Sequence, residues 1–431
     1  MFDDEDVDAA VGMTRKWDAR EAGREVARNT IKNLKTPPSF IILFSTIHYK
    51  DHGGFEEFLK GVWDVIPKGT PLVGGTVAGF INNYGCYTRG ATALAASHSD
   101  MDVSACFGKN TKRNPKKATR KSANSIKNDF KESIYQNKFL LNLVSGPEIP
   151  SMPGLGKKKI IESGLLSKFA MQAIGISQKL LQKGLGREDE VFDEMILNLP
   201  KFNMILGATT DNYRGLRNYQ FLNNEVLKNS IVNLGISTDL DLDVFTTHGM
   251  KKTNVKFDIT KISRSKHIIH EINNEPAVAE LLKLLGWPEG FLNEKTMEFI
   301  MPYYPISLNR NNKETPVVLP FILKDSIMIP CTIDKGTSYF FTMSGKNLIQ
   351  AVERNLKNIK ISKPKFGLSS ACMTILDTLG NDSYIIKEKM QDYFGSNPYI
   401  LFFVAGEGSS SPLRNLTYAN MSFNTVVFGK E

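Results

Sequence analysis

The sequence predicts a mixed α/β fold, of the α+β kind, with mixed β-sheets flanked by helices. Three observations carry that expectation. Helical periodicity alternates with short apolar strands up to about residue 75, the order of a parallel or mixed sheet. Three apolar strands end alike, in glycine and a polar side chain: Pro71-Leu-Val-Gly-Gly-Thr-Val-Ala-Gly79, Asn203-Met-Ile-Leu-Gly-Ala-Thr-Thr-Asp211 and Leu401-Phe-Phe-Val-Ala-Gly-Glu-Gly408. Around residue 250 the pattern changes to paired strands, which marks a second region. Glycine at a strand end lets backbone approach closely or turn with positive φ. Its recurrence points to one structural device used three times around a cleft.

Taken in order, Asp18 and Glu21 have the cap and N3 spacing of a helix start. Ala22, Val26, Ala27, Thr30, Ile31 and Leu34 follow at helical spacing until Pro37-Pro38. Phe40–Ser45 reads as a buried strand, Phe55–Val65 as a helix and Leu72–Gly75 as the next strand. Ala91–Ser97 and Val103–Phe107 read as antiparallel continuations, and Phe139–Val144 returns to the sheet. Residues 147–200 form an excursion whose apolar residues, from Ile160 to Leu181, fall on one helical face, bracketed by Gly154, Gly156, Gly184 and Gly186. Such a segment is either a packed helix or a lid over a pocket. Met204–Gly207 and Ser230–Ile236 are strands. Beyond 250, Val255–Ile259 pairs with His267–Ile272 across a short connection, Asn273-Asn274 turns, and Pro276 opens the helix Ala277–Leu285 that Gly286 ends. Val317–Leu323 and Ile327–Ile333 read as a hairpin about Lys324-Asp325. Ser344 caps a helix, Phe366–Ala371 is a strand, Ser383–Phe394 a helix, and Tyr399–Val404 and Met421–Phe428 are strands.

At 431 residues, two or three domains are expected. No apolar run is long enough to span a membrane, and the acidic start does not resemble a signal peptide, so a cytoplasmic protein without membrane contact is expected. Cys86, Cys106, Cys331 and Cys372 are scattered, which favours reduced thiols over disulfides or a thiolate metal site. The net charge of +9 is concentrated. Residues 109–132 carry nine Lys or Arg against Asp129 and Glu132, a balance of +7. With no aromatic residue before Phe130 in that run, stacking on single-stranded nucleic acid is not expected; a solvated Lys-rich helix is the plain alternative to an anion-binding one.

Several blocks together resemble the FIST family. They are the Asp18–Leu34 helix feeding Phe40–Ser45, the Pro71–Gly79 glycine motif, Phe257-Asp-Ile-Thr260 with Ile269–Ala277 leading into the Leu281–Gly286 helix, and Gly406-Glu407 with Asn420 on the final strand. The resemblance implies an N-terminal leading helix within 1–36, a FIST N-like domain over 37–250 and a FIST C-like domain over 251–431. It also implies a sensory, signal-transducing role: binding a small ligand, with amino acids proposed, and passing the signal to a separate protein partner. Some members bind haem and sense nitric oxide, and one relative sits in an F-box protein. Where similar C-terminal modules have an arginine two residues after the cysteine, Thr374 follows Cys372 here, so no anion-binding role carries over to that position.

The ligand-binding reading uses Gly74, Gly75, Thr76, Arg89, Thr209, Asp211, Glu407 and Asn420. Arg89 can clamp a carboxylate through paired hydrogen bonds, and Thr209, Asp211, Glu407 and Asn420 can meet an ammonium or polar body. His48 and Cys372 rank below them. Cys372 stands at a strand-to-helix junction, where backbone N–H groups lower a thiol pKa, and His48 ends a buried strand. No catalytic residues, metal site or cofactor are assigned. Gly154-Leu-Gly156 lacks the Walker residues around it, and His98 and His248 stand isolated. A scaffold that binds protein partners without a ligand, a haem-based gas sensor and a Cys372-dependent enzyme remain as alternatives.

Overall fold

A computed structural model describes residues 7–148, 158–310, 313–414 and 418–430. The mixed class holds: 29% helix and 39% strand, in four mixed sheets with ten helices among the described residues. The expected Gly154 and Gly156 bracket lies outside the described residues.

Three of the sheets share one topology, built by units 8–97, 101–238 and 241–430. Each unit contributes a leading strand, two inner strands, a closing strand and a hairpin. In the first sheet the order is Asp8–Thr14, Ala91–Ser97, Phe40–Ser45, Leu72–Thr76. In the second it is Met101–Lys109, Ser230–Thr238, Asn137–Ser145, Asn203–Thr209, and in the third Asp241–His248, Ser422–Lys430, Lys363–Cys372, Tyr399–Val404. The two inner strands run parallel in every case and the other pairs antiparallel.

The hairpins are exchanged in a ring. The second unit's hairpin, Gln220–Leu222 with Glu225–Leu227, completes the first sheet. The third unit's, Glu407–Ser410 with Tyr418–Ala419, completes the second. The first unit's, Gly79–Asn82 with Gly85–Tyr87, completes the third. Each unit therefore supplies a strand that another unit's sheet needs.

Both faces of the inner strands are buried, so their sequences run apolar without alternation. Phe40, Ile42 and Phe44 face a core shared by all three sheets, while Ile41 and Leu43 face the helices Ala19–Ile31 and Phe55–Trp63. In the shared core Phe44 stacks on Phe402 at 4.2 Å, and Phe428 stacks on Phe366 at 4.5 Å and meets the edge of Phe139 at 5.3 Å. Local signals act as the sequence predicts at the helix ends. The Asp18 carboxylate accepts from the Glu21 N–H at 2.9 Å, a cap worth about 1 kcal/mol, and the Ser344 hydroxyl caps Gly345–Lys357 through the Asn347 N–H.

Two pairings differ from expectation. Met101–Lys109 does not extend the sheet of Ala91–Ser97; it opens the second unit and pairs with Ser230–Thr238. Their closeness in sequence reflects a link between sheets. The expected long hairpin about Lys324-Asp325 is short, Phe321–Leu323 with Ser326–Met328, because Lys313–Val317 pairs with Ile306–Arg310 instead.

Residue 250 is where the third unit departs into an inserted nine-stranded sheet. That sheet contains Lys251–Ile262, Ile268–Ile272 and Gly336–Thr342, and ends on Ile160–Ile161 from the second unit's excursion. Excursion and insertion thus meet edge to edge beside the second and third units.

Candidate functional site

The three glycine-ended strands converge. Where they leave their sheets, three backbone hydrogen bonds close a ring: Ala78 N–H to Phe403 C=O at 2.9 Å, Thr210 N–H to Thr76 C=O at 2.9 Å, and Ala405 N–H to Ala208 C=O at 3.0 Å. In each unit the donor lies two residues after the acceptor. Thr76, Ala208 and Phe403 are therefore equivalent positions, and Gly75, Gly207 and Phe402 precede them.

The ring is tightly packed. A Cβ on Gly74 would lie 1.9 Å from the Leu43 carbonyl oxygen, and one on Gly75 would lie 2.6 Å from Thr209 Cγ2 and 2.9 Å from the Tyr219 carbonyl oxygen. Here the glycines serve close approach between backbones of neighbouring strands. Thr76 is fully buried, and its hydroxyl accepts from the Tyr219 N–H at 3.0 Å. Thr209 donates to the Val144 carbonyl at 3.0 Å and accepts from Gln220 Nε2 at 2.6 Å. The Asp211 carboxylate accepts from the N–H groups of Arg214, Gly215, Leu216 and Arg217. Its capacity is spent on shaping the loop that carries Asn218.

From Thr209 a line of polar groups leads to Asn420. Asn218 Oδ1 lies 3.1 Å from the Thr209 hydroxyl oxygen, and Asn218 donates to Glu148 Oε1 at 3.2 Å. Glu148 Oε1 stands 3.4 Å from the ammonium of Lys112, a lysine with no exposed side-chain surface. Glu188 is the next carboxyl, with Tyr418 donating to its Oε1 at 3.3 Å and Asn420 donating to the Tyr418 oxygen at 3.2 Å. Backbone closes in on Glu188: a Cβ on Gly186 would lie 2.0 Å from its Oε2, and one on Gly406 would lie 2.9 Å from its Oε1. Glu407 follows Gly406 directly and is fully buried, its Oε1 accepting from the Ser422 N–H at 2.9 Å.

Among the described residues, Glu188 Oε2 and Glu407 Oε2 are buried without a hydrogen-bond partner, and Lys112 Nζ has only the Glu148 carboxylate, at 3.4 Å. Burial lifts the Glu188 carboxyl to about 8 and raises that of Glu407 well above the carboxylate range, and it lowers the Lys112 ammonium. Desolvation disfavours the charged form of each.

Arg89 and His48 belong to another cluster. The Arg89 guanidinium stacks 4.0 Å over the exposed Trp17 ring, with Nη1 buried and without a hydrogen-bond partner among the described residues. His48 sits beside Trp17 and Tyr49 with Thr46 Oγ1 2.8 Å from its Nδ1. Burial, then the charges of Arg89 and His52, lower its pKa to about 4, so the ring is neutral at pH 7.

Cys372 does precede a helix, Met373–Leu379, but the activation expected there is overridden. Burial, with Glu407 next in importance, pushes the thiol up to about 12. His98 is not isolated: its Nε2 lies 2.7 Å from Asp239, and Asp100 completes a group whose possible ligand atoms fall within 4.8 Å of one another.

Sequence reading passed over Lys112, Glu148, Glu188, Gln220 and Tyr418. Lys112 was hidden in a basic run that otherwise faces solvent, and Glu188 looks like an ordinary acidic residue in the first helical turn. The Gly184–Gly186 bracket was the available signal, since glycine there admits backbone against a buried carboxyl.

The fold is thus that of three units interleaved by hairpin exchange, with a buried charged cluster where the second and third meet. The FIST N domain model matches residues 39–275, more than half of the chain, and the chain belongs to this family of sensory and signalling domains. A search of curated proteins finds no match. Among solved structures, a similar chain is cyanuric acid hydrolase from A. caulinodans, at 6% identity over 54% of this chain and 71% of that one. Its TM-score of 0.26 carries no argument about fold or function.

Proposed function

We propose that this chain is a small-ligand sensor in which a FIST N domain is continued by a FIST C-type module, and that a small polar metabolite binds beside Glu188, Glu407 and Lys112. One observation carries the reading: three ionisable groups are buried near one another, and among the described residues Glu188 Oε2 and Glu407 Oε2 each lack a hydrogen-bond partner while Lys112 has only the Glu148 carboxylate, at 3.4 Å. An unsatisfied buried polar group costs about 1–3 kcal/mol, which a ligand with cationic and anionic ends relieves. An amino-acid-like molecule presents both, its ammonium to the carboxyls and its carboxylate to Lys112. Occupancy would reset the contacts between excursion and third-unit hairpin, and a separate protein partner would read that change.

The test is a thermal-shift screen of the parent and of a Glu188→Gln, Glu407→Gln double variant against amino acids, diamines and dicarboxylates. A stabilising ligand whose effect disappears in the variant supports the reading. No shift across the panel, or an equal shift in the variant, removes it.

A further inference from the structure

The excursion helix Gly164–Leu180 has an apolar face without a partner among the described residues. Leu165, Phe169, Ile176 and Leu180 are 81%, 56%, 59% and 68% exposed. They stand at i, i+4, i+11 and i+15, so they share one face about 20 Å long.

The helix is held at its ends. The Ser163 hydroxyl accepts from the Leu166 N–H, and Ser167 donates to the Ile161 carbonyl at 3.0 Å. At the other end Arg113 donates to the Lys179 and Leu180 carbonyls at 2.6 and 2.9 Å. Those two bonds set the helix beside the start of the second unit's basic helix, Pro115–Asp129, which exposes Lys116, Lys117, Arg120, Lys121 and Lys127.

Charge decides the occupant. Residues 157–183 contain six lysines (157, 158, 159, 168, 179 and 183) and a single acid, Glu162. The neighbouring 109–132 run adds a balance of +7, of which one charge is that of the buried Lys112. A lysine-flanked apolar face beside a cationic patch is the pattern of a helix lying in the interface of an anionic bilayer. No helix among the described residues is long and apolar enough to cross a membrane, and this one has 17 residues. The geometry points to a surface contact: we propose that Gly164–Leu180, with Pro115–Asp129 beside it, docks on the negatively charged headgroups of a lipid membrane. The expectation of no membrane contact rested on the lack of a span, which leaves a surface helix untouched.

The test is co-sedimentation of the full chain with vesicles of phosphatidylcholine alone or with phosphatidylserine at about one part in three. Expected is binding to the anionic vesicles at least tenfold stronger than to the neutral ones, and weakened by salt. A Phe169→Glu, Ile176→Glu variant should lose at least tenfold while keeping the parent's melting temperature, because both side chains are exposed. A Lys116→Glu, Lys121→Glu variant should lose a similar amount. No binding to anionic vesicles at low salt overturns the proposal, as does undiminished binding by the Phe169→Glu, Ile176→Glu variant. A concentration-dependent dimer that this variant abolishes, without vesicle binding by the parent, also overturns it and assigns the face to a second copy.

Discussion

The hairpins of the second and third units occupy equivalent places and treat the same side-chain position in opposite ways. Gln220 pairs with Gly75 in the first sheet, and Glu407 pairs with the equivalent Gly207 in the second. Each turns one oxygen to a closing strand, Gln220 to the Ser230 N–H and Glu407 to the Ser422 N–H. There the likeness stops. Gln220 Nε2 donates to Thr209 Oγ1 at 2.6 Å and to Asn218 Oδ1 at 2.9 Å. The corresponding residues of the third unit are Val404 and Ala405, which offer no side-chain acceptor, and Glu407 Oε2 has no hydrogen-bond partner among the described residues. In the first unit the position is Phe80, paired with Phe402 and fully buried. One backbone arrangement thus carries an amide lock, an unsatisfied acid and a plug of core. The difference teaches that near-symmetry at this end holds the scaffold, and that departure from it marks the candidate site.

Breaking the lock should have the largest effect. Gln220→Leu takes an N–H donor from Thr209 and Asn218 and the side-chain acceptor from the Ser230 N–H, and should lower stability by about 3 kcal/mol in urea unfolding. A loss below about 1 kcal/mol would show that the two hairpins do not differ as argued.

The pH dependence sharpens the other side. Glu188 has a native pKa of about 8, above its ordinary 4.5. Between those values the native state holds a proton that the unfolded chain has released, so stability is greatest below about pH 4.5 for this group and falls as pH rises toward 8. Glu188 by itself should make the parent on the order of 3 kcal/mol less stable at pH 7.5 than at pH 5, and Glu407 acts in the same direction. Glu188→Gln, Glu407→Gln should flatten that slope in paired denaturation curves; an unchanged slope would contradict the burial assigned to the two acids.

Asp211→Ala follows in size. It removes the acceptor for four backbone N–H groups of the loop that presents Asn218, and about 2 kcal/mol should be lost. Combined with Gln220→Leu the losses should fall short of their sum, since both act on Asn218; strict additivity would uncouple them. The smallest effect is chemical. With its thiol raised to about 12, Cys372 in the folded chain should alkylate at neutral pH at least tenfold more slowly than in the unfolded chain. Fast labelling of the native chain at that position would restore the nucleophile reading.

Part of the site was legible because its signals are local. Glycines at strand ends singled out Gly75, Thr76, Thr209 and Glu407, and those ends do meet. Arg89 was chosen for its chemistry, yet it lies over Trp17, a ring 72 residues earlier that no spacing rule connects to it. Lys112 was illegible for the same reason: its partner is Glu148, and the excursion's return brings Arg187 onto its carbonyl.

By itself the sequence determined the elements. The Asp18 and Ser344 caps, the helix Ala277–Leu285 closed by Gly286 at φ 66°, the Ser383–Phe394 helix and the strands Phe40–Ser45 and Tyr399–Val404 follow from periodicity, capping and turn chemistry within a few residues. Tertiary structure alone decided which sheet each hairpin joins and which charges end up without water. Backbone N–H and C=O groups are the same in every strand, so pairing carries no local code. The exchange is settled only when three half-buried sheets close over one core, and that closure also turns Lys112, Glu188 and Glu407 from ordinary surface residues into a buried cluster.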